Sequence, residues 1–390
     1  MSRPAAASLY VHIPFCRSIC RYCDFSRQLH TPDSEKRYLS ALIAELESVI
    51  PDGLPVETVF FGGGTPSALS VSSWRRLFNA LNERLDFSNL TEMTAEANPE
   101  SYTDEIATVW RDAGVTRLSF GAQSFNDRLL KIIGRIHTAE DVETAVQRAR
   151  QSGIARVSVD LIYGLPSQTL VDWRADMRCA ARLPVEHLSA YALTIESQSV
   201  WGMESARAGL AFPDDERVSD MYRAAMDELP LLGFEQYEIS NWRAAGARKK
   251  TGAPTECLHN MKYWRREPVY ALGPAASGFD GQTRWTNRRR FEDWADAIEK
   301  GGSPVAETET LEPDRALGEA IMLALRLNEG ADLKALRRLF GTRASKERFV
   351  AIEKQIAVFE SQGLIARDGD VVRLTSIARP VADAVLCDLI

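Results

Sequence analysis

The sequence predicts an α/β protein built from parallel βα units, followed by a smaller α+β domain. Three observations predict it. Six short β-prone runs begin at residues 9, 58, 92, 117, 157 and 188, leaving 25 to 49 residues for each strand, crossover helix and pair of loops. Apolar residues at helical spacing fill the intervals between them. The last stretch, from about residue 305, reads as helices, then a hairpin, then a closing helix, which is the order of a winged helix. Six units either close incompletely into a partial (β/α)6 barrel or lie as an open doubly wound sheet, and periodicity does not decide between them.

Composition sets the outer bounds. At 390 residues there is room for one domain of roughly 200 to 250 residues and a smaller one. A 45% hydrophobic and 26% charged chain is an ordinary water-soluble protein. The formal charge of -7 speaks against general attraction to nucleic acid or to an anionic membrane, which needs clustered positive charge. No run reaches the roughly 18 apolar residues of a membrane helix, and Met1 to Ser8 is too short for a signal peptide. A cytoplasmic location follows, with membrane contact at most through a partner. Six cysteines in a chain of this length are not a disulfide framework.

The first strand, Leu9 to Ile13, stops at Pro14, and Cys16, Cys20 and Cys23 follow on a loop in a C-x3-C-x2-C pattern. Ser34 to Ile50 carries Tyr38, Leu42, Leu46 and Ile50 at helical spacing, and Pro51 ends it. The β-branched and aromatic run Thr58-Val59-Phe60-Phe61 enters Gly62-Gly63-Gly64-Thr65-Pro66-Ser67, a strand ending in a glycine-rich turn. Glu92 to Glu96, Arg117 to Phe120, Val157 to Ile162 and Leu188 to Leu193 repeat the alternation. In either arrangement of parallel strands their carboxyl ends form the functional face. That gathers the cysteine loop, the glycine turn, Glu96, Gln123 and Asp160 around one site.

A helix is expected from Asp214 to Leu232, and then composition shifts. Between Trp242 and Arg290 there are 11 Lys or Arg against 3 Asp or Glu, including Arg248-Lys249-Lys250 and Arg288-Arg289-Arg290. Such a stretch is either a solvated loop or meets an acidic ligand. Boundaries are expected at residues 1–235, 236–304 and 305–390. In the last segment Asp368-Gly369 between β-prone arms signals a hairpin. Its 12 basic and 14 acidic side chains suit packing or partner docking better than phosphate binding.

The three clustered thiols suit a [4Fe-4S] cubane, because a short loop lets successive sulfurs reach different irons and leaves one iron open. A zinc site is the alternative, with His12, Asp24 or His30 as the fourth ligand. Disulfides or plain buried cysteines are a third reading.

With these residues laid out, the chain resembles the radical S-adenosylmethionine (SAM) family along its first 200 or so residues, and the HemN/HemW branch of that family along nearly its whole length. The resemblance lies in the ordered set Tyr10 to Cys16, Gly62 to Ser67, Glu96-Ala97-Asn98-Pro99, Gly121 to Phe125 and Asp160 to Pro166. It implies the partial barrel, and it implies that Cys16, Cys20 and Cys23 hold the cluster. It further implies that Tyr22 contacts the adenine of SAM, and that Gly63, Gly64 and Thr65 offer backbone groups to its amino group. Glu96, Gln123, Arg135 and Asp160 match positions that hydrogen-bond SAM, and Tyr10 matches a position near a second SAM.

The HemN-type oxidases of this branch carry a fourth cysteine two residues after the third, where this chain has Phe25, and a longer N-terminal arm. Cys257-Leu258-His259-Asn260-Met261-Lys262-Tyr263-Trp264 fits the H-N-x-x-Y-W motif of the HemW-like heme chaperones. The resemblance thus implies a chaperone that binds heme, through His259 if the imidazole takes the iron, and passes it to an acceptor protein. An electron donor is implied for the cluster. The rival within the branch is an oxygen-independent coproporphyrinogen III oxidase. Two places depart from the pattern: Arg243 to Glu256 is longer and more basic than usual, and Ser277 stands where a histidine is common.

Overall fold

The structure is a computed structural model, and it describes residues 7–204, 209–246 and 254–389. The basic run Arg248-Lys249-Lys250 lies outside the described residues.

Strand β1 (Ala7–Ile13) is followed by the short parallel pair β2 (Phe15–Cys16) and β3 (Gln28–Leu29) that brackets the cysteine loop. Then come β4 (Leu54–Gly63), the short β5 (Leu85–Asp86), β6 (Glu92–Ala97), β7 (Arg117–Gln123), β8 (Arg156–Tyr163) and β9 (His187–Ala192). In space the order is β9-β8-β7-β6-β4-β1, all parallel. Each unit therefore adds beside the last, without the reversal of direction that marks a doubly wound sheet. The partial barrel is the arrangement adopted.

The helices after these strands begin where their caps say they should. Pro32–Val49, Val71–Arg84, Asp104–Asp112, Ala139–Gln151, Leu170–Arg182 and Asp215–Leu231 start after Thr31, Ser70, Thr103, Thr138, Thr169 and Asp214. Each of those side chains accepts a backbone N–H of the first turn, an interaction worth about 1 kcal/mol.

The strands alternate with period two, and the two faces differ in kind. Leu9, Val11, Val59, Phe61, Leu118, Phe120, Val157 and Val159 face the helices and belong to the main apolar core. The other face carries Ser8, Tyr10, His12, Thr58, Glu92, Thr94, Glu96, Arg117, Ser119, Ser158, Asp160 and His187. These side chains bond to one another: Thr58 Oγ1 to Ser8 Oγ at 2.9 Å, Ser119 Oγ to Asp160 at 3.0 Å, Ser158 Oγ to His187 Nδ1 at 2.7 Å. The barrel interior is thus largely polar, with Phe60 as an aromatic platform among these groups.

Residues 236–304, read from the sequence as a connecting region, contribute to both flanks of the same sheet. Strands β10 (Phe234–Glu238) and β11 (Asn241–Ala244) form a hairpin antiparallel to β9. On the far side β12 (Val269–Leu272) lies parallel to β1, followed by antiparallel β13 (Ser277–Phe279), β14 (Thr283–Asn287) and β15 (Val305–Thr310). Ser277 is exposed on β13 and shares a hydrogen bond with Thr286.

The last segment has its own apolar core, built from helices Pro313–Leu325, Leu333–Phe340 and Lys346–Ser361. Strands β16 (Ala331–Asp332), β17 (Ile365–Asp368) and β18 (Val371–Leu374) complete it; the hairpin signalled by Asp368-Gly369 forms, with Gly369-Asp370 as its two-residue turn and Asp368 paired with Val371. Buried Glu319 ties this domain to the sheet by accepting from Arg266 at 2.6 Å and Arg284 at 2.5 Å. Among the described residues no helix is long and apolar enough to cross a membrane.

Candidate functional site

The carboxyl ends of β4, β6, β7, β8 and β9 open into a cavity of about 400 Å³. Cys16, Cys20 and Cys23 line it, on the loop held by the β2–β3 pair. Thr65 Oγ1 donates to Cys16 Sγ at 3.5 Å, which favours thiolate there, and Arg135 donates to Cys20 Sγ at 3.6 Å. Burial works the other way, raising the Cys16 thiol and pushing Cys23 up to about 11. Iron bound by these sulfurs would hold them deprotonated. Among the described residues no three His, Cys, Asp or Glu side chains converge as a mononuclear metal site requires. Three thiols spread around a cavity fit a cluster whose irons are each reached by a different sulfur. Of the candidates for a fourth zinc ligand, His12 is engaged with Tyr10 and the Ser26 carbonyl and His30 with Glu35, while Asp24 lines the cavity.

Tyr22, Gly63, Gly64, Thr65, Glu96, Gln123, Arg135 and Asp160 line the same cavity. The glycine turn allows the approach that puts them there. Gly63 has φ +110°, and a Cβ on it would meet the His12 ring at 2.6 Å. A Cβ on Gly64 would meet the Phe15 carbonyl oxygen at 2.8 Å. Gln123 sits at a bulge in β7 with φ 67°, a left-handed conformation that glutamine adopts at a cost. The bulge shifts the register, so that Gly121 pairs with Asp160 and Gln123 with Leu161 of β8, and Gln123 enters the cavity wall.

Glu96 accepts from the Gly63 N–H at 3.1 Å, and burial together with the charge of Asp160 pushes its carboxyl up to about 8. Burial also raises Asp160, against the hydrogen bonds of Ser189 and Ser119 and the charge of Arg117. Arg135 donates to Asn98 Oδ1 at 2.7 Å and to the Gly121 carbonyl at 2.5 Å. The site therefore offers two carboxylates and one oriented guanidinium, the complement of a ligand with hydroxyls and a carboxylate.

Among the other residues of the wall, Asn98, Ser119 and Tyr191 carried no role in the sequence reading. Asn98 also donates to Thr65 Oγ1 at 3.1 Å, so it orients Thr65 and Arg135 at once. Its place in Glu96-Ala97-Asn98-Pro99 was the available signal.

The structure does not bring Tyr10 or His259 to this cavity. Tyr10 stacks on Phe60 and donates to His12 Nδ1 at 3.1 Å. His259 stands at the opposite end of the barrel, 1% exposed, stacked on Phe60 with ring centroids 5.2 Å apart. Its Nδ1 shares a hydrogen bond with Thr58 Oγ1 at 2.8 Å, and its Nε2 one with Tyr263 OH at 3.1 Å. Burial and the charge of Lys262 lower it to about 3, so the imidazole is neutral, with no ring nitrogen free for iron. Around it, Glu92 accepts from the backbone N–H groups of Leu258 and His259 and pairs with Arg156 at 3.1 Å. Trp264, the last residue of the motif, lies under Arg326 of the C-terminal domain at 4.5 Å.

The radical SAM superfamily model matches residues 10–180, and the HemN C-terminal domain model residues 311–381. The heme chaperone HemW of Bacillus subtilis is 36% identical across 94% of this chain and 95% of that protein. HemW of Mycobacterium tuberculosis is 35% identical across 98% of this chain and 94% of its own length. Coproporphyrinogen III oxidase (HemN) from Escherichia coli shares the fold, with a TM-score of 0.85 at 22% identity over all of this chain and 91% of that one. The matched regions contain both the cysteine cavity and the C-terminal domain, and the chain belongs to the HemW family of radical SAM proteins.

Proposed function

We propose that this protein is a heme chaperone: it binds heme and hands it to an acceptor protein while carrying a [4Fe-4S] cluster and SAM. The observation that carries the reading is similarity to proteins named heme chaperones over nearly the whole chain. Phe25 supports it, since the oxidases of this branch have a thiol at that position.

The roles follow from the cavity. Cys16, Cys20 and Cys23 would hold the cluster. Gly63 and Gly64 leave backbone groups accessible, Glu96 and Asp160 would accept from hydroxyls of SAM, and Arg135, oriented by Asn98, would meet its carboxylate. Held by these residues and reduced by an external electron donor, a [4Fe-4S] cluster would supply the electron for reductive cleavage of a carbon–sulfur bond of SAM. Thr65 and Arg135 also donate toward the cluster sulfurs, which ties SAM binding to the cluster's electrostatics. Heme, an acceptor protein and an electron donor are the partners of this reading, in the cytoplasm.

Coproporphyrinogen III oxidation is the second reading, favoured by the fold shared with the Escherichia coli oxidase. One assay separates the two. Anaerobically reconstituted protein with SAM and reductant is offered heme or coproporphyrinogen III. Retained heme with no porphyrin product supports the chaperone; turnover to protoporphyrinogen rejects it in favour of the oxidase.

A further inference from the structure

We infer that heme docks at the mouth of the cluster cavity, its flat face on Phe25 and its propionates on the arginines of the run Arg288-Arg289-Arg290 and on Arg27. This placement rests on the heme-chaperone reading.

The described cations of the basic segment, taken together with Arg27 of the cysteine loop, divide into two groups. Those facing the barrel's other end and the C-terminal domain are neutralised: Arg243 by Glu256, Lys262 by Glu57 and Glu267, Arg265 by Glu329, Arg266 and Arg284 by Glu319. The second group is not. Among the described residues Arg27, Arg288 and Arg289 have no carboxylate partner, and Arg290 reaches only Asp293, at 3.9 Å. All three arginines of the run are exposed.

This unpaired group lies against the cluster loop. The Arg289 guanidinium donates to the Asp24 carbonyl, and Ser26 Oγ donates to the Arg289 carbonyl at 2.5 Å. Helix Phe291–Glu299 fixes the run in place, with Phe291 edge-on to Phe15 at 6.1 Å and Trp294 against Tyr38 at 5.7 Å. Phe25, next in sequence to the Asp24 that Arg289 reaches, is 58% exposed and part of the cavity wall. Arg27 lines the cavity too, and its Nε is buried with no partner.

A large exposed aromatic ring flanked by unpaired guanidinium groups calls for a flat apolar ligand that carries carboxylates. A tetrapyrrole with two propionates has that chemistry. An acidic protein surface would meet the arginines but leave Phe25 and the cavity mouth unused.

The test is a heme titration, followed by Soret absorbance, on full-length cluster-loaded protein. It compares the wild type, the double variant Arg288→Glu/Arg290→Glu and the single variant Phe25→Ala. Iron content and cluster absorbance are checked in each; neither Arg288 nor Arg290 bonds to the cluster loop, so the cluster is retained. The double variant is expected to bind heme about tenfold more weakly, Phe25→Ala also more weakly. Heme dimethyl ester, which lacks the propionate charges, is expected to bind wild type and double variant alike. Undiminished heme affinity in the double variant assigns the arginines to an acidic protein partner and overturns the placement, while leaving the chaperone reading standing. A wild type that binds no heme overturns that reading itself.

Discussion

The two ends of the barrel are built from the same alternating strands, yet they do opposite things with polar side chains. At the amino ends of the strands, Glu92, Arg156, His187, Tyr237 and His259 saturate one another. His187 takes Ser158 and Arg117 at one nitrogen and Tyr237 at the other, and Glu92 is shared by Arg156 and two backbone N–H groups. At the carboxyl ends Glu96, Asp160 and Arg135 keep donors and acceptors turned to a cavity. A dense set of buried polar residues is therefore not by itself a ligand site. What distinguishes the two is whether the groups, partnered at both ends, also line an open cavity.

That contrast has consequences that mutation can break. The largest is at the open end: Cys20→Ala abolishes the cluster, read as loss of iron and of its visible absorbance, while the denaturation midpoint of the cluster-free chain stays where it was. A retained iron–sulfur spectrum in this variant rejects the cluster assignment. At the closed end Glu92→Ala leaves Arg156 and two N–H groups buried without their acceptor, and denaturant unfolding should show a loss of about 3–5 kcal/mol. A loss below ~1 kcal/mol there contradicts the view of this end as structural.

A smaller, pH-dependent effect belongs to Glu96. Its folded-state value of about 8 lies above the ordinary 4.5, so between these values the folded chain keeps a proton that the unfolded chain has released. Stability contributed by the neutral carboxyl is complete below the lower value and is lost as pH rises through the upper one. In the SAM-free chain Glu96→Gln should flatten that decline, as seen by comparing unfolding at about pH 5 and about pH 9. An unchanged decline would mean that Glu96 is already ionised in the cavity.

Much of this was legible in the sequence, for physical reasons. The β-prone runs and the capping residues Thr31, Ser70, Thr103, Thr138, Thr169 and Asp214 are local signals, so the βα alternation could be read directly. Strand β12 could not, because four residues, Val269–Leu272, take their meaning from a partner some 260 residues earlier in the chain. The cavity was legible because its residues fall at strand ends. His259 was not placed, since a motif names the residue but not whether its nitrogens are free; Thr58 and Tyr263 decide that. Nor could the basic segment be divided into paired and unpaired arginines, because Glu319 and Glu329 neutralise part of it from another domain.

The central claim is that ligands belong to the open end and the H-N-x-x-Y-W helix to the scaffold. His259→Ala tests it most directly, with heme titration and denaturant unfolding on the same preparation. The account predicts heme affinity within about twofold of wild type and a stability loss of about 1–3 kcal/mol, the cost of unpairing the Thr58 and Tyr263 hydroxyls. Lost heme binding with unchanged stability would contradict it and return the imidazole to the iron.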